Sequence, residues 1–125
     1  MDKLVTVVIP CYNAEKCIGS CLKSVLSQTY SNLEIIVIND ASKDRTLLKL
    51  QEYGKIDSRI RVLNNLQQGG VDISRFRGIS EAKGDYLCFV DADDWIPGNA
   101  IDIMVKHAEE TNADVVEGGM TRVLG

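Results

Sequence analysis

The sequence predicts an α/β fold: an open, mostly parallel sheet with helices on both faces, three layers in all. Three observations carry this. The runs "VTVVI" (Val5 to Ile9) and "LEIIVIND" (Leu33 to Asp40) are β-branched and apolar at nearly every position, as strands covered on both faces are. Other segments place apolar residues at helical spacing. The two kinds alternate along the chain without an internal repeat, a low-complexity tract or a linker, so the 125 residues read as one domain.

The elements follow in order. Val5 to Ile9 is the first strand, ended by Pro10. Asn13 is placed to cap a helix from Ala14 to Gln28, whose inner face carries Cys17, Ile18, Cys21, Leu22, Val25 and Leu26. Leu33 to Asp40 is the second strand. Ser42 or Asp44 caps a second helix that turns Leu47, Leu48 and Leu50 inward. "RIRVL", Arg59 to Leu63, is the third strand. Gly69 and Gly70 form a loop into a helix that stops near Lys83 and Gly84, glycine being the common residue just past a helix end. Asp85 to Val90 is the fourth strand, Pro97 suits the start of a helix reaching Glu110, and Ala113 to Gly119 is the fifth strand.

Composition narrows the function. With 45% hydrophobic and 26% charged residues the chain is of ordinary globular type, and its net charge of -4 offers no basic field for nucleic acid. No apolar run reaches membrane-spanning length, and no signal peptide precedes the first strand. The four cysteines, Cys11, Cys17, Cys21 and Cys88, form no C-x-x-C pair and read as small apolar residues of a reduced, cytoplasmic protein. Attachment at the inner face of a membrane is compatible with this.

In open α/β sheets ligands bind beyond the carboxyl ends of the strands. Polar residues gather there: Cys11-Tyr12-Asn13 after the first strand, Asn39-Asp40 after the second, Asp91-Ala92-Asp93-Asp94 after the fourth. In "YLCFVDADDWIP" an apolar strand runs straight into three carboxylates. Two carboxylates about 5 Å apart repel by roughly 3 kcal/mol at an effective dielectric near 20. A hard divalent cation turns that repulsion into attraction, and lets an acidic protein hold an anionic diphosphate. D-x-D spacing is weak by itself, since about one such pair is expected by chance in this composition. Its position after a buried strand, with an aromatic and Pro97 behind it, gives it weight. The plainer reading is that these aspartates cap the segment that follows.

Three stretches resemble the N-terminal, nucleotide-sugar-binding half of a family 2 glycosyltransferase of GT-A fold. They are "VTVVIPCYNAEKCIGSCLKSVLSQTYSNLEIIVIND", the turn "NDASKDRT", and "GGVDISRFRGISEAKGDYLCFVDADDWIP". Together they span nearly the whole chain in the family's order. The resemblance implies a UDP-sugar donor and Mn²⁺ or Mg²⁺ as cofactor, in an inverting transfer that serves polysaccharide biosynthesis. Pro10 and Tyr12 would line the base pocket, Tyr12 stacking on the base. Asp40 would accept the ring N–H of uracil, Asp91 would lie by the ribose and help hold the metal, and Asp93 would be the principal metal ligand. Arg75 would reach the nucleotide. A half-buried packing role for Tyr12 and a solvated one for Arg75 stay open.

The chain departs from the family pattern at Asn39, Ala41 and Phe76, which stand where Asp, Gly and Asn are usual, and at Gln68, which stands near a usual Asn in the Gly-Gly loop. The family's general base lies well after the D-x-D, in an acceptor-binding half, and is expected beyond Gly125. Glu109, Glu110 and Glu117 read as capping or solvated charge. The expectation is therefore a donor-binding unit for an unidentified saccharide or lipid-linked acceptor, prone to form homodimers through bared apolar surface. A non-catalytic nucleotide-sugar-binding module is the nearest rival. A phosphoacceptor receiver would need acids after the first strand, as would a haloacid-type phosphatase, and a dinucleotide enzyme would need G-x-G-x-x-G there.

Overall fold

In the computed structural model the residues described are 3–111, 115–116 and 120–122. Strand β1 (Val5–Cys11) is buried at all seven positions and lies at the centre of the sheet. After it come α1 (Ile18–Leu26), β2 (Leu33–Asn39), α2 (Thr46–Ile56), β3 (Ile60–Asn64), α3 (Val71–Glu81), β4 (Tyr86–Phe89), α4 (Ala100–Thr111), β5 (Val115–Val116) and β6 (Met120–Arg122). The sheet order is β3-β2-β1-β4-β6-β5. The first four strands are mutually parallel, β6 runs antiparallel to β4, and β5 antiparallel to β6. Of the fifth strand expected at 113–119, only Val115–Val116 falls within the described residues.

The strand side chains alternate between two cores. Val5, Val7, Ile9, Ile35 and Val37 meet Ile18, Leu22 and Val25 of α1, Leu50 of α2, and Ile101, Val105 and Ala108 of α4. Val8, Ile36, Ile38 and Leu87 form the second core on the opposite face. There α3 packs through its two buried residues, Ser74 and Gly78. A Cβ on Gly78 would stand 2.4 Å from Val8 Cγ1, so glycine is what lets this helix approach the sheet.

Four expectations are corrected. Pro10 does not end β1. The strand continues to Cys11 on its β2 side, and only the pairing with β4 stops, at Val8↔Phe89. The α-helix begins at Ile18 rather than Ala14. Asn13 has φ 47°, a left-handed conformation outside the capping geometry, and its Oδ1 accepts from Lys43 N–H instead. Leu48 is 49% exposed while Thr46 and Leu50 face inward, because α2 starts at Thr46 and its inner stripe runs 46, 50. Gly84 does not terminate α3 in a left-handed turn. The helix ends at Glu81, and a Cβ on Gly84 would meet Thr6 N at 2.7 Å and Leu4 O at 2.9 Å.

Ala41 also has a left-handed backbone, φ 57°. A Cβ there costs roughly 1–2 kcal/mol in the native chain, against about 0.5–1 kcal/mol of extra freedom for glycine when unfolded. Ala41→Gly is therefore expected to stabilise the domain by about 0.5–1 kcal/mol, read as a raised denaturant midpoint at unchanged slope.

Candidate functional site

Sheet register brings the three polar strand ends together. Cys11 pairs with Asn39, Asp40 N–H donates to Cys11 O at 2.8 Å, and Val90 N–H donates to Val8 O at 3.1 Å. Backbone groups two residues apart on a strand point the same way, so Pro10 directs its missing N–H toward β4. At that level β4 has given way to the Asp91 turn and no ladder bond is lost. The parting of the two strands opens a cleft of about 540 Å³ whose lining includes Pro10, Tyr12, Cys17, Arg75, Asp91 and Asp93. A recess of about 50 Å³ adjoins it, bounded by Pro10, Tyr12, Asp40, Val71 and Ser74. The residues predicted for the site therefore border two neighbouring cavities with Pro10, Tyr12 and Val71 in common: Arg75, Asp91 and Asp93 line the larger and Asp40 the smaller.

Asp40 is 4% exposed. Its Oδ1 accepts from Asn65 Nδ2 (2.8 Å) and Gly69 N–H (2.9 Å), and its Oδ2 accepts from Gly70 N–H (2.9 Å). Burial pushes the carboxyl up, but the Gly69, Asn65 and Gly70 donors outweigh it and hold the group below its ordinary value of 3.8. A carboxylate offers about four acceptor positions, so three internal donors leave about one, on Oδ2, for a ligand. Gly70 has φ 94°, which glycine adopts freely, and this turns its N–H onto Asp40 as α3 begins.

Asn65 links the site to α3. Besides Asp40 it donates to Ser74 Oγ at 3.2 Å, and its Oδ1 accepts from Arg77 Nη1 at 2.7 Å. The sequence reading passed it over although it follows the end of β3, in the same zone as the other polar strand ends. It also missed a seam between the loops after β1 and β2. Ser42 Oγ accepts from Asn13 N–H, Thr46 Oγ1 from Ala14 N–H, and Asp44 Oδ2 from Glu15 N–H. Ser42, Asp44 and Thr46 of "NDASKDRT" thus tie the Tyr12 loop down.

The acidic turn is closed by Asp94 N–H donating to Asp91 O at 3.0 Å, with Ala92 buried beneath it. Carboxylate oxygens of Asp91, Asp93 and Asp94 all lie within 4.8 Å of one another and all three residues are exposed. Oxygen pairs around a six-coordinate Mg²⁺ span up to about 4 Å, so rotation of exposed side chains fits this hard-oxygen set to Mg²⁺ or Mn²⁺. Arg75 Nη2 lies 3.3 Å from Asp91 Oδ1, and its guanidinium stands 5.8 Å from the centre of the Phe89 ring. Its buried Nε has no hydrogen-bond partner among the described residues. Arg75 therefore faces the cleft, whereas the next residue, Phe76, is 72% exposed on the outer face of α3.

Cys21 Sγ donates to Asp91 O at 3.5 Å, under the acidic turn. Burial, aided by the neighbouring thiol of Cys17 and the three aspartates, pushes Cys21 up to about 12. Burial raises Cys88 to about 11 and carries Cys11 well above the ordinary thiol range. These three stay protonated at neutral pH and act as packing residues.

A mostly parallel sheet layered by helices, with an acidic turn at the carboxyl end of β4, is the arrangement of the GT-A class of glycosyltransferase fold. The chain belongs to glycosyl transferase family 2, whose model matches residues 6–124. It is 39% identical to glycosyltransferase GlyG of Streptococcus pneumoniae over 118 residues, 94% of this chain and 39% of that protein. It is 36% identical to the Escherichia coli UDP-Glc:alpha-D-GlcNAc-diphosphoundecaprenol beta-1,3-glucosyltransferase WfgD, covering 94% of this chain and 46% of WfgD. The structure of S. aureus TarS 1–349 in complex with UDP-GlcNAc superposes with a TM-score of 0.83 at 28% identity, covering 88% of this chain and 32% of TarS. The chain thus spans less than half the length of these relatives.

Proposed function

We propose that this chain is the donor-binding unit of an inverting glycosyltransferase that takes its sugar from a UDP-sugar with Mn²⁺ or Mg²⁺. The observation that carries the reading is that the Tyr12–Asp40 recess and the cleft that holds Asp91 and Asp93 share Pro10, Tyr12 and Val71 as common walls. Uracil presents a flat face for Tyr12 and a ring N–H for the remaining lone pair of Asp40. Asp93 and Asp91, with Asp94 beside them, would hold the cation, and Arg75 adds a positive charge to the same wall. When bound, the cation supplies charge stabilisation to the departing diphosphate. The UDP-GlcNAc complex of TarS and the UDP-Glc in the name of WfgD support a uridine donor.

None of the described acids is assigned as the base that deprotonates the acceptor hydroxyl. Glu109 and Glu110 line a separate cavity with Lys3 and Tyr30. We assign that base, and most of the acceptor site, to the part of the longer relatives that this chain does not span. No helix among the described residues is long and apolar enough to cross a membrane. We assign the chain to the cytoplasm, at the inner face of the membrane if its acceptor is lipid-linked. The outward side chains Ile73, Phe76 and Ile79 on α3 support self-association as a homodimer.

Calorimetry with UDP tests the reading. Wild type should bind UDP only when Mn²⁺ is present. Asp93→Ala should weaken that binding by at least about tenfold, ~1.4 kcal/mol. Metal-independent affinity that survives the substitution would overturn the proposal.

A further inference from the structure

The molecule's single tryptophan, Trp95, directly follows the acidic turn and is 69% exposed. Tryptophan is ordinarily well buried, and an indole left in water forgoes a large apolar contribution. The loop that carries it is firmly held. Ile96 N–H donates to Ser24 Oγ (3.1 Å), Gln28 Nε2 to Pro97 O (2.6 Å), Thr29 N–H to Gly98 O (2.8 Å) and Ile101 N–H to Gln28 Oε1 (3.1 Å). On the other side of Trp95, Asp94 is fixed by its bond to Asp91 O. Ile96 packs against the core formed with α1 and α4. Five hydrogen bonds and a seated neighbour therefore hold the backbone while the indole stays out in solvent.

Position restricts what could cover it. Adjacent Cα atoms lie ~3.8 Å apart, so the indole is rooted one residue from a carboxylate of the acidic triad. In the reaction proposed above, the anomeric carbon is one bond from the diphosphate held at that triad. The attacking hydroxyl must approach it in line, from the side away from the leaving group. A pyranose has a face of C–H bonds and a rim of hydroxyls. That matches an aromatic plane with one N–H at its edge, which buries apolar area and still satisfies a polar rim.

We propose that Trp95 is a stacking platform for a pyranose ring of the acceptor, a specificity element that this donor unit itself contributes. The inference rests on the glycosyltransferase reading, and its test separates the two. Because Trp95 is the only tryptophan, its emission reports on the platform directly. With UDP and Mn²⁺ present, titration with a series of methyl pyranosides should give a saturable blue shift. UDP-GlcNAc without added pyranoside should give less of it. Ligand-observed NMR of the same pyranosides should show binding weakened about tenfold in Trp95→Ala and largely kept in Trp95→Phe, while calorimetric affinity for UDP and Mn²⁺ stays as in wild type. No saturable shift in a protein that binds UDP and Mn²⁺ overturns the platform and leaves the donor site standing. So does a shift produced in full by UDP-GlcNAc alone, which would make it a donor-sugar contact. A saturable pyranoside shift in a protein that fails to bind UDP sinks the donor reading instead.

Discussion

Asp40→Ala is expected to destabilise the domain by about 3–5 kcal/mol and to remove uridine-nucleotide binding. The carboxylate is buried, and its loss would leave the N–H groups of Gly69 and Gly70 and one N–H of Asn65 without their acceptor. Hydrogen bonds to a charged group contribute about 1.5–3 kcal/mol each, and water entering the vacated space would return part of that. Asp40→Asn preserves shape and should cost about half as much, since one oxygen still accepts while the amide nitrogen faces a donor. Urea denaturation measures both. Base preference separates the binding role from the structural one. A folded Asp40→Asn protein should lose affinity for UDP more than for CDP, because the amide can no longer serve as acceptor to the ring N–H of uracil.

Acid should act through the same group. The folded-state value of Asp40 is depressed below 3.8, so at acid pH the unfolded chain binds the proton more readily than the folded one. The stabilisation is thus fully present above the unfolded value and is lost as pH falls through the lower native value. Asp44, held down against burial by the Thr46 hydroxyl and the Thr46 and Glu15 N–H groups, adds to the same acid limb. Asp40→Asn should show a shallower loss of stability below 3.8 than wild type. Parallel curves would rule out Asp40 as a contributor.

Gly78→Ala is the second large effect, about 2–3 kcal/mol of destabilisation from overpacking. The added Cβ would lie 2.4 Å from Val8 Cγ1 and 3.1 Å from Ile38 Cδ1, against the sheet itself. Among the described residues α3 is the helix on that face, and it carries Ser74 and Arg77, which bond Asn65, and Arg75, which faces Asp91. Pushing it outward should therefore weaken UDP binding along with stability. Gly98→Ala provides the contrast. Nothing lies within 4 Å of a Cβ there and its φ is not positive, so thermal unfolding should move by no more than about 0.5 kcal/mol. Equal effects at the two positions would show that close approach to the sheet does not limit position 78.

Much of this site could be read before any coordinates. The apolar runs now seen as β1, β2 and β4 were legible because a strand covered on both faces must be apolar at every position. The ends of those runs marked Tyr12, Asp40 and Asp91–Asp94 as neighbours, since parallel strands carry their carboxyl ends to one edge. Boundaries read less well. Asn13 has capping chemistry but a left-handed backbone, and only its bonds to the loop after β2 reveal that its oxygen serves Lys43.

Sequence by itself determined the layered sheet, the edge where its polar residues meet, and the run of aspartates that could hold a cation. Tertiary structure alone decided that Asp40 is enclosed by donors from Asn65, Gly69 and Gly70, that α3 rests on a glycine, and that Trp95 is left uncovered. The physical reason is range. Burial pattern and turn chemistry are local and repeat with the period of the element, so they show in the order of residues. A carboxylate's hydrogen-bond partners, or the clearance above a glycine, depend on segments tens of residues apart coming within a few ångströms, and no local pattern encodes that approach.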